Sequence, residues 1–188
     1  GIKRIDYSTS VGQMLKLLIE NNIPLFAAHT NMDTAKGGIN DKLAEMFELT
    51  DVKILDQHTD DSSAGLGRYG RLEKTIKLGG FAEHCKKILG TPFLRVSGDF
   101  KKDINTVAVA SGSCSEIIPL AFEKGADVII TGDMKYHNMI DMTELGICII
   151  DAGHYPTEIC VMDIFEDILK DTDIEIIKSE NKDIFKLV

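Results

Sequence analysis

His154 and Glu158 stand four residues apart in the segment Gly153-His154-Tyr155-Pro156-Thr157-Glu158. On a helix that spacing puts both side chains on one face. An imidazole and a carboxylate converging there are good ligands for a divalent metal. A plainer reading fits the same residues: a histidine hydrogen-bonded near a helix start, with a glutamate well placed in the first turn. The apolar run Ile147-Cys148-Ile149-Ile150 precedes the segment, and a helix-like pattern from Ile159 to Leu169 follows it. The segment therefore reads as a strand end, a turn and a first helical turn, a place that suits Pro156.

Other chemically able residues also follow apolar runs. His29-Thr30-Asn31-Met32-Asp33, Ser111 to Cys114 and Gly132 to His137 each do so. Asp33 is either a turn-forming carboxylate or a metal ligand, and His29 either a ligand or a group that orients one. Asp133 and His137 repeat the four-residue spacing. Asp133 caps a helix on one reading, and on the other the pair faces substrate, with His137 carrying protons. Arg68, among Gly65, Gly67 and Gly70, is either a clamp for an anion or a surface arginine. Ser111-Gly112-Ser113-Cys114 precedes a helix and offers amides to an anion, though without the longer phosphate-loop pattern. His58 and His84 read as ordinary polar residues.

The elements that must position these groups follow from periodicity. A helical stripe covers 9–22, and Ile23 to Ala28 reads as a buried strand. A helix capped by Asn40 or Asp41 carries Leu43, Ala44, Met46 and Phe47 on its buried side. Val52 to Leu55 reads as a strand, Ser62 to Gly70 as loop and Leu72 to Ile76 as strand. A helix over 81–89 ends at Gly90. Phe93–Ser97 and Thr106–Ala110 form an expected hairpin through the polar turn 101–105. Strand and helix then alternate: strand 107–110, helix 116–124, strand 127–131, helix 136–145, strand 147–151, helix 157–170, with a last strand at 174–177. Such alternation implies right-handed crossovers and an α/β fold with a mixed, largely parallel sheet and helices on both faces. Function in such sheets gathers at the carboxyl ends of the strands.

The 188 residues are enough for a sizeable core, and 44% hydrophobic with 27% charged residues is ordinary for a globular chain. No apolar run is long enough for a membrane span, and the first ten residues lack the apolar core of a secretory signal, so a cytoplasmic protein is expected. A net charge of −9 makes nucleic acid a poor partner. Cys85, Cys114, Cys148 and Cys160 show neither Cys-x-x-Cys nor zinc-finger spacing, and no disulfides are expected.

Four ordered segments together carry a family pattern. They are His29-Thr30-Asn31-Met32-Asp33 with Gly37-Gly38-Ile39-Asn40-Asp41; Gly65 to Gly70; Gly125 to Asp133 with Tyr136-His137; and Asp151 to Glu158. The chain resembles the Nif-three-like dinuclear-metal proteins, often labelled type 2 GTP cyclohydrolase I homologues, from about its first residue to about 177. The resemblance implies a toroidal homohexamer with a pair of divalent metals (zinc, manganese or iron) in each subunit, and metal ligands at Asp33, His154 and Glu158. It also implies two lobes: a metal-site lobe from 1–60 and 150–188, and a second α/β lobe from 61–149. One motif of the family, a strand ending in His-His-Pro, is not in this sequence, which opens at Gly1. A fragment of a longer protein is expected, binding at most one metal per chain. The expected activity is that of a metal-dependent hydrolase in which metal-activated water attacks a nucleotide-like or phosphorylated substrate. The alternative is a non-catalytic oligomeric scaffold or regulatory partner.

Overall fold

The computed structural model describes residues 4–57, 60–180 and 182–185, so His58 lies outside the described residues. Helix α1 (Ser10–Glu20) starts where the Thr9 hydroxyl accepts the Gly12 amide at 3.1 Å. Helices α2 (Thr30–Thr34) and α3 (Ile39–Met46) follow. Strands β1 (Thr50–Asp56) and β2 (Leu66–Lys77) form an antiparallel pair, and α4 (Leu78–Leu89) ends at Gly90 with φ +60°. The rest is β3 (Arg95–Ser97), β4 (Asp103–Val109), a 3-10 turn at Ser115–Ile117, α5 (Ile118–Glu123), β5 (Val128–Thr131), α6 (Tyr136–Glu144), β6 (Cys148–Asp151), α7 (His154–Glu158) and α8 (Val161–Leu169).

The six strands form one sheet in the order β1-β2-β4-β5-β6-β3. Its centre, β4-β5-β6, is parallel, whereas β1-β2, β2-β4 and β3-β6 are antiparallel. The expected α/β class with a mixed sheet is what is found, but the largely parallel sheet is corrected to one parallel only at its centre. The boundary expected between 149 and 150 falls inside β6.

Side-chain alternation along the central strands explains the two helical layers. Val107, Val109, Val128, Ile130, Cys148 and Ile150 face α3, α4 and α8. Ala108, Ala110, Ile129 and Ile149 face α5 and α6. Helices thus cover both faces, as expected. Phe47 and Phe81, both fully buried, meet at 6.1 Å between ring centroids; removing either ring would cost about 3–5 kcal/mol. All four cysteines are free and buried.

Five local expectations fail. Ile23 to Ala28 is not a strand: it pairs with no strand among the described residues, and Leu25 and Phe26 are 71% and 78% exposed. Residues 174–177 likewise form no strand, and Ile177 is 81% exposed. The 66–70 part of the expected loop belongs to β2. Its glycines permit close strand approach, since a Cβ on Gly70 would stand 2.7 Å from the Thr50 carbonyl oxygen. The expected hairpin is absent because β4 has both edges occupied by β2 and β5, so β3 pairs with β6 at the far edge. Finally, α3 is capped at Gly38 rather than by Asn40 or Asp41, both of which lie within it. No helix among the described residues is long and apolar enough to cross a membrane.

Candidate functional site

The parallel centre of the sheet decides where the chemistry lies. Because β4, β5 and β6 run the same way, the segments after Val109, Thr131 and Asp151 emerge at one edge. The Ser111-Gly112 turn is laced to its neighbours: the Gly112 carbonyl accepts the Gly132 amide at 2.7 Å and the Thr131 hydroxyl at 3.1 Å. The Gly112 amide donates to the Thr157 hydroxyl oxygen at 3.0 Å. The buried Asp151 carboxylate accepts the Met134 and Gly153 amides at 3.0 Å each and the Arg95 guanidinium, tying the last two loops together.

His154 occupies the middle of this edge. Its Nδ1 lies 2.7 Å from Asp133 Oδ2 and its Nε2 lies 3.0 Å from Glu158 Oε1. Asp133 reaches it from a left-handed backbone position, φ 53°. A carboxylate only accepts, and a neutral imidazole carries one N–H. Both contacts are therefore satisfied by an imidazolium, or by a cation replacing the proton on one side. Partial burial alone would lower the His154 pKa, but Asp133 and Glu158 outweigh it and raise it above 6.5. Burial, and to a lesser degree the charge of Asp33, lifts Glu158 above the usual glutamate value, against the opposing influence of His154 and His29.

Asp33 arrives from α2 and completes the group. Its Oδ1 accepts the Ser111 hydroxyl at 2.6 Å. The fully buried Asn40 braces the same joint, donating to the Asp33 carbonyl at 2.9 Å and accepting the Ser111 amide at 2.9 Å. Asp33, Glu158 and His29 line one cavity of about 270 Å³ with Phe26, Met32 and Phe165. On its other side Glu158, with His154 and Asp133, lines a larger cleft of about 610 Å³. Gly112 is the floor: a Cβ there would stand 2.4 Å from Glu158 Oε1 and 3.1 Å from His154 Nε2, at φ +61°.

The structure brings Asp33, His29 and Glu158 to one cavity and sets His154 against Glu158. It does not bring His137 into the group: that residue is exposed on α6, its ring 5.8 Å from Tyr136, and it lines neither cavity. His84 is exposed on α4, as an ordinary polar residue would be. Both readings of Arg68 are corrected. It is 2% exposed, paired with Asp41, and bonded to the carbonyls of Gly65 at 2.7 Å and Gly67 at 2.8 Å, so its donors hold the fold together. In the 111–114 segment the Ser111 and Gly112 amides are already used within the protein. Sequence reasoning missed Ser111 and Asn40 as braces of Asp33; the sole signal was that 111 follows a strand.

The profile of the family described as Duf34/NIF3 (NGG1p interacting factor 3) matches residues 1–184. The chain belongs to the NIF3 family. It is 37% identical over 188 residues to a GTP cyclohydrolase 1 type 2 homolog of Clostridium perfringens, covering 98% of this chain and 72% of that one. Across three bacterial relatives of that name, the NIF3-family chain spans 57% to 72% of their lengths. Among solved structures it resembles a Bacillus cereus protein related to NIF3, with a TM-score of 0.85 and 25% identity over 100% of this chain and 80% of that one. Reduced HcgD from Methanocaldococcus jannaschii gives 0.76 and 35%, over 92% and 66%. These likenesses agree with the mixed α/β fold.

Among the described residues no group of three or more His, Cys, Asp or Glu side chains stands together so that it could hold a metal ion. Asp33, His154 and Glu158 are of the types that divalent ions take as ligands, and the contact of His154 with Glu158 at 3.0 Å lacks a donor unless a proton or cation supplies it.

Proposed function

We propose that this NIF3-family chain binds a divalent metal through Asp33, His154 and Glu158 and acts as a metal-dependent hydrolase on a nucleotide-like or phosphorylated substrate. The observation that carries the reading is His154 held between two acceptor-only carboxylates, an arrangement that calls for a positive charge. When bound, zinc, manganese or iron would lower the pKa of water and polarise the electrophile. Asp133 would accept a hydrogen bond from the His154 Nδ1–H, leaving the Nε2 lone pair directed toward Glu158, as carboxylate–histidine pairs do at metal sites. Ser111 and Asn40 fix Asp33 opposite, and the apolar walls of the larger cleft, Phe93, Ile159 and Met162, exclude water from a bound substrate. The proton-carrying role expected of His137 stays part of the proposal on its sequence spacing, and His137→Ala tests it separately.

A second reading, an oligomeric metal-binding scaffold, is favoured by the exposed apolar residues of the N-terminal part, among them Val11, Met14, Leu17, Leu25 and Phe26. A homohexamer would cover such a surface. Metal titration with zinc, manganese and iron, followed by turnover of a nucleotide and phosphoester panel, separates the two. Turnover lost in Asp33→Ala and Glu158→Ala supports the hydrolase; metal binding and oligomerisation without turnover support the scaffold. Absence of metal binding by the wild-type chain refutes both.

A further inference from the structure

Arg95 stands at the same edge as His154 with its guanidinium half in water. It opens the edge strand β3 and pairs directly with Asp151, the last residue of β6. That register sets its side chain over the Asp151 carboxylate, where the chain turns toward His154. The Asp151 side chain is 2% exposed, whereas that of Arg95 is 52% exposed. A buried carboxylate needs a positive partner, but a single nitrogen meets the need here. Nη2 donates both to Asp151 and to the Met134 carbonyl, the latter at 2.8 Å, in the loop that also carries Asp133.

Among the described residues Nε and Nη1 of Arg95 donate no hydrogen bond. The guanidinium is thus anchored on one side while its remaining donors lie open on the wall of the His154 cleft. An arginine fixed in this way makes charge-assisted hydrogen bonds to a phosphate without first having to be ordered. The neighbouring carboxylates are already engaged: Asp151 also takes the Met134 and Gly153 amides, and Asp133 and Glu158 flank His154.

Phe93 lines the same cleft and is 42% exposed. The Thr91 hydroxyl donates to its carbonyl at 3.0 Å and so fixes the backbone that presents the ring. A flat ring laid against Phe93 would take apolar surface from water on both sides. Residues two apart in a chain have Cα atoms no more than about 7 Å from each other, so one small molecule reaches both side chains.

We propose that Arg95 and Phe93 select the ligand of the His154 cleft, a small molecule carrying an aromatic ring and a phosphate. The outward donors of Arg95 hold the phosphate and Phe93 holds the ring. This assignment rests on the reading of the His154 edge as a substrate site, names the residues that choose the substrate, and requires no metal.

The full chain, Arg95→Lys and Phe93→Ala are titrated calorimetrically, all in chelator, with the four common nucleoside monophosphates and their parent nucleosides. Lysine keeps a positive charge beside Asp151, and Phe93 is exposed, so the fold tolerates both changes. The wild-type chain should bind at least one monophosphate. Arg95→Lys should weaken that nucleotide about tenfold and leave its nucleoside unchanged, as the loss of a hydrogen bond to a charged group predicts. Phe93→Ala should weaken nucleotide and nucleoside alike. No nucleotide binding by the wild-type chain, an unchanged nucleotide affinity in either variant, or an Arg95→Lys loss that extends equally to the nucleoside overturns the assignment. None of these outcomes touches metal binding by Asp33, His154 and Glu158, which the metal titration decides.

Discussion

The Ser111 hydroxyl donates to Asp33 Oδ1 at 2.6 Å across 78 residues of chain. This bond joins the first helical turn after the N-terminal part to the carboxyl end of the central strand β4. It turns a loop carboxylate into a member of the His154 edge.

Ser111→Ala removes that donor while leaving the backbone contact to Asn40. Stability should fall by about 1.5–3 kcal/mol, the range for a hydrogen bond to a charged group. Zinc affinity should drop about tenfold, as when an outer partner of a ligand is lost. Denaturant unfolding and isothermal titration check the two effects independently.

Gly112→Ala attacks the floor of the site. The new methyl group meets Glu158 Oε1 at 2.4 Å, and the left-handed backbone adds roughly 1–3 kcal/mol of strain. The expected result is a folded but destabilised protein whose metal affinity falls further than that of Ser111→Ala. Equal or better binding would show that Glu158 is free to leave this position.

The pH dependence of the metal-free protein has a definite sign. His154 is raised above 6.5, so its contribution is fully present below 6.5 and is lost as pH rises through the folded value. Glu158 is raised above 4.5, so the folded state also holds its proton more tightly, and stability falls as pH climbs from 4.5 to the raised value. Both groups therefore favour the acid side of their windows. An NMR titration should find the His154 pKa lowered by Asp133→Asn, and protons released when zinc is added.

Arg68→Lys should destabilise the protein by about 3 kcal/mol without a selective effect on metal binding. A lysine cannot reproduce the fork that pairs Asp41 and reaches the Gly65 and Gly67 carbonyls, and it leaves a mostly buried carboxylate poorly matched. Thermal unfolding read alongside metal titration tests the separation.

Much of the second half of the chain is legible as written. Apolar runs at Val128–Thr131 and Cys148–Asp151, each followed by a polar turn and an amphipathic stretch, define strand, turn and helix from local periodicity. The four-residue spacing of His154 and Glu158 survives directly as a 3.0 Å contact, because a single helical turn sets it.

Other relationships are invisible to local pattern. Ile23–Ala28 has strand-like composition but no partner among the described residues, and Thr106–Ala110 was open to any neighbour until β2 and β5 took its two edges. Arg68 gave no sign that the Asp41 carboxylate, 27 residues earlier in the chain, would hold it inside the fold. The sequence by itself determined which segments become helices and strands in the α/β half and that polar groups end its strands. Only the tertiary structure decided that Asp33 meets Ser111 and that Asp133 meets His154. The reason is physical: helical and strand periods record which side of a segment avoids water, whereas strand order and the meeting of distant loops follow from which edges and faces remain free when the whole core packs.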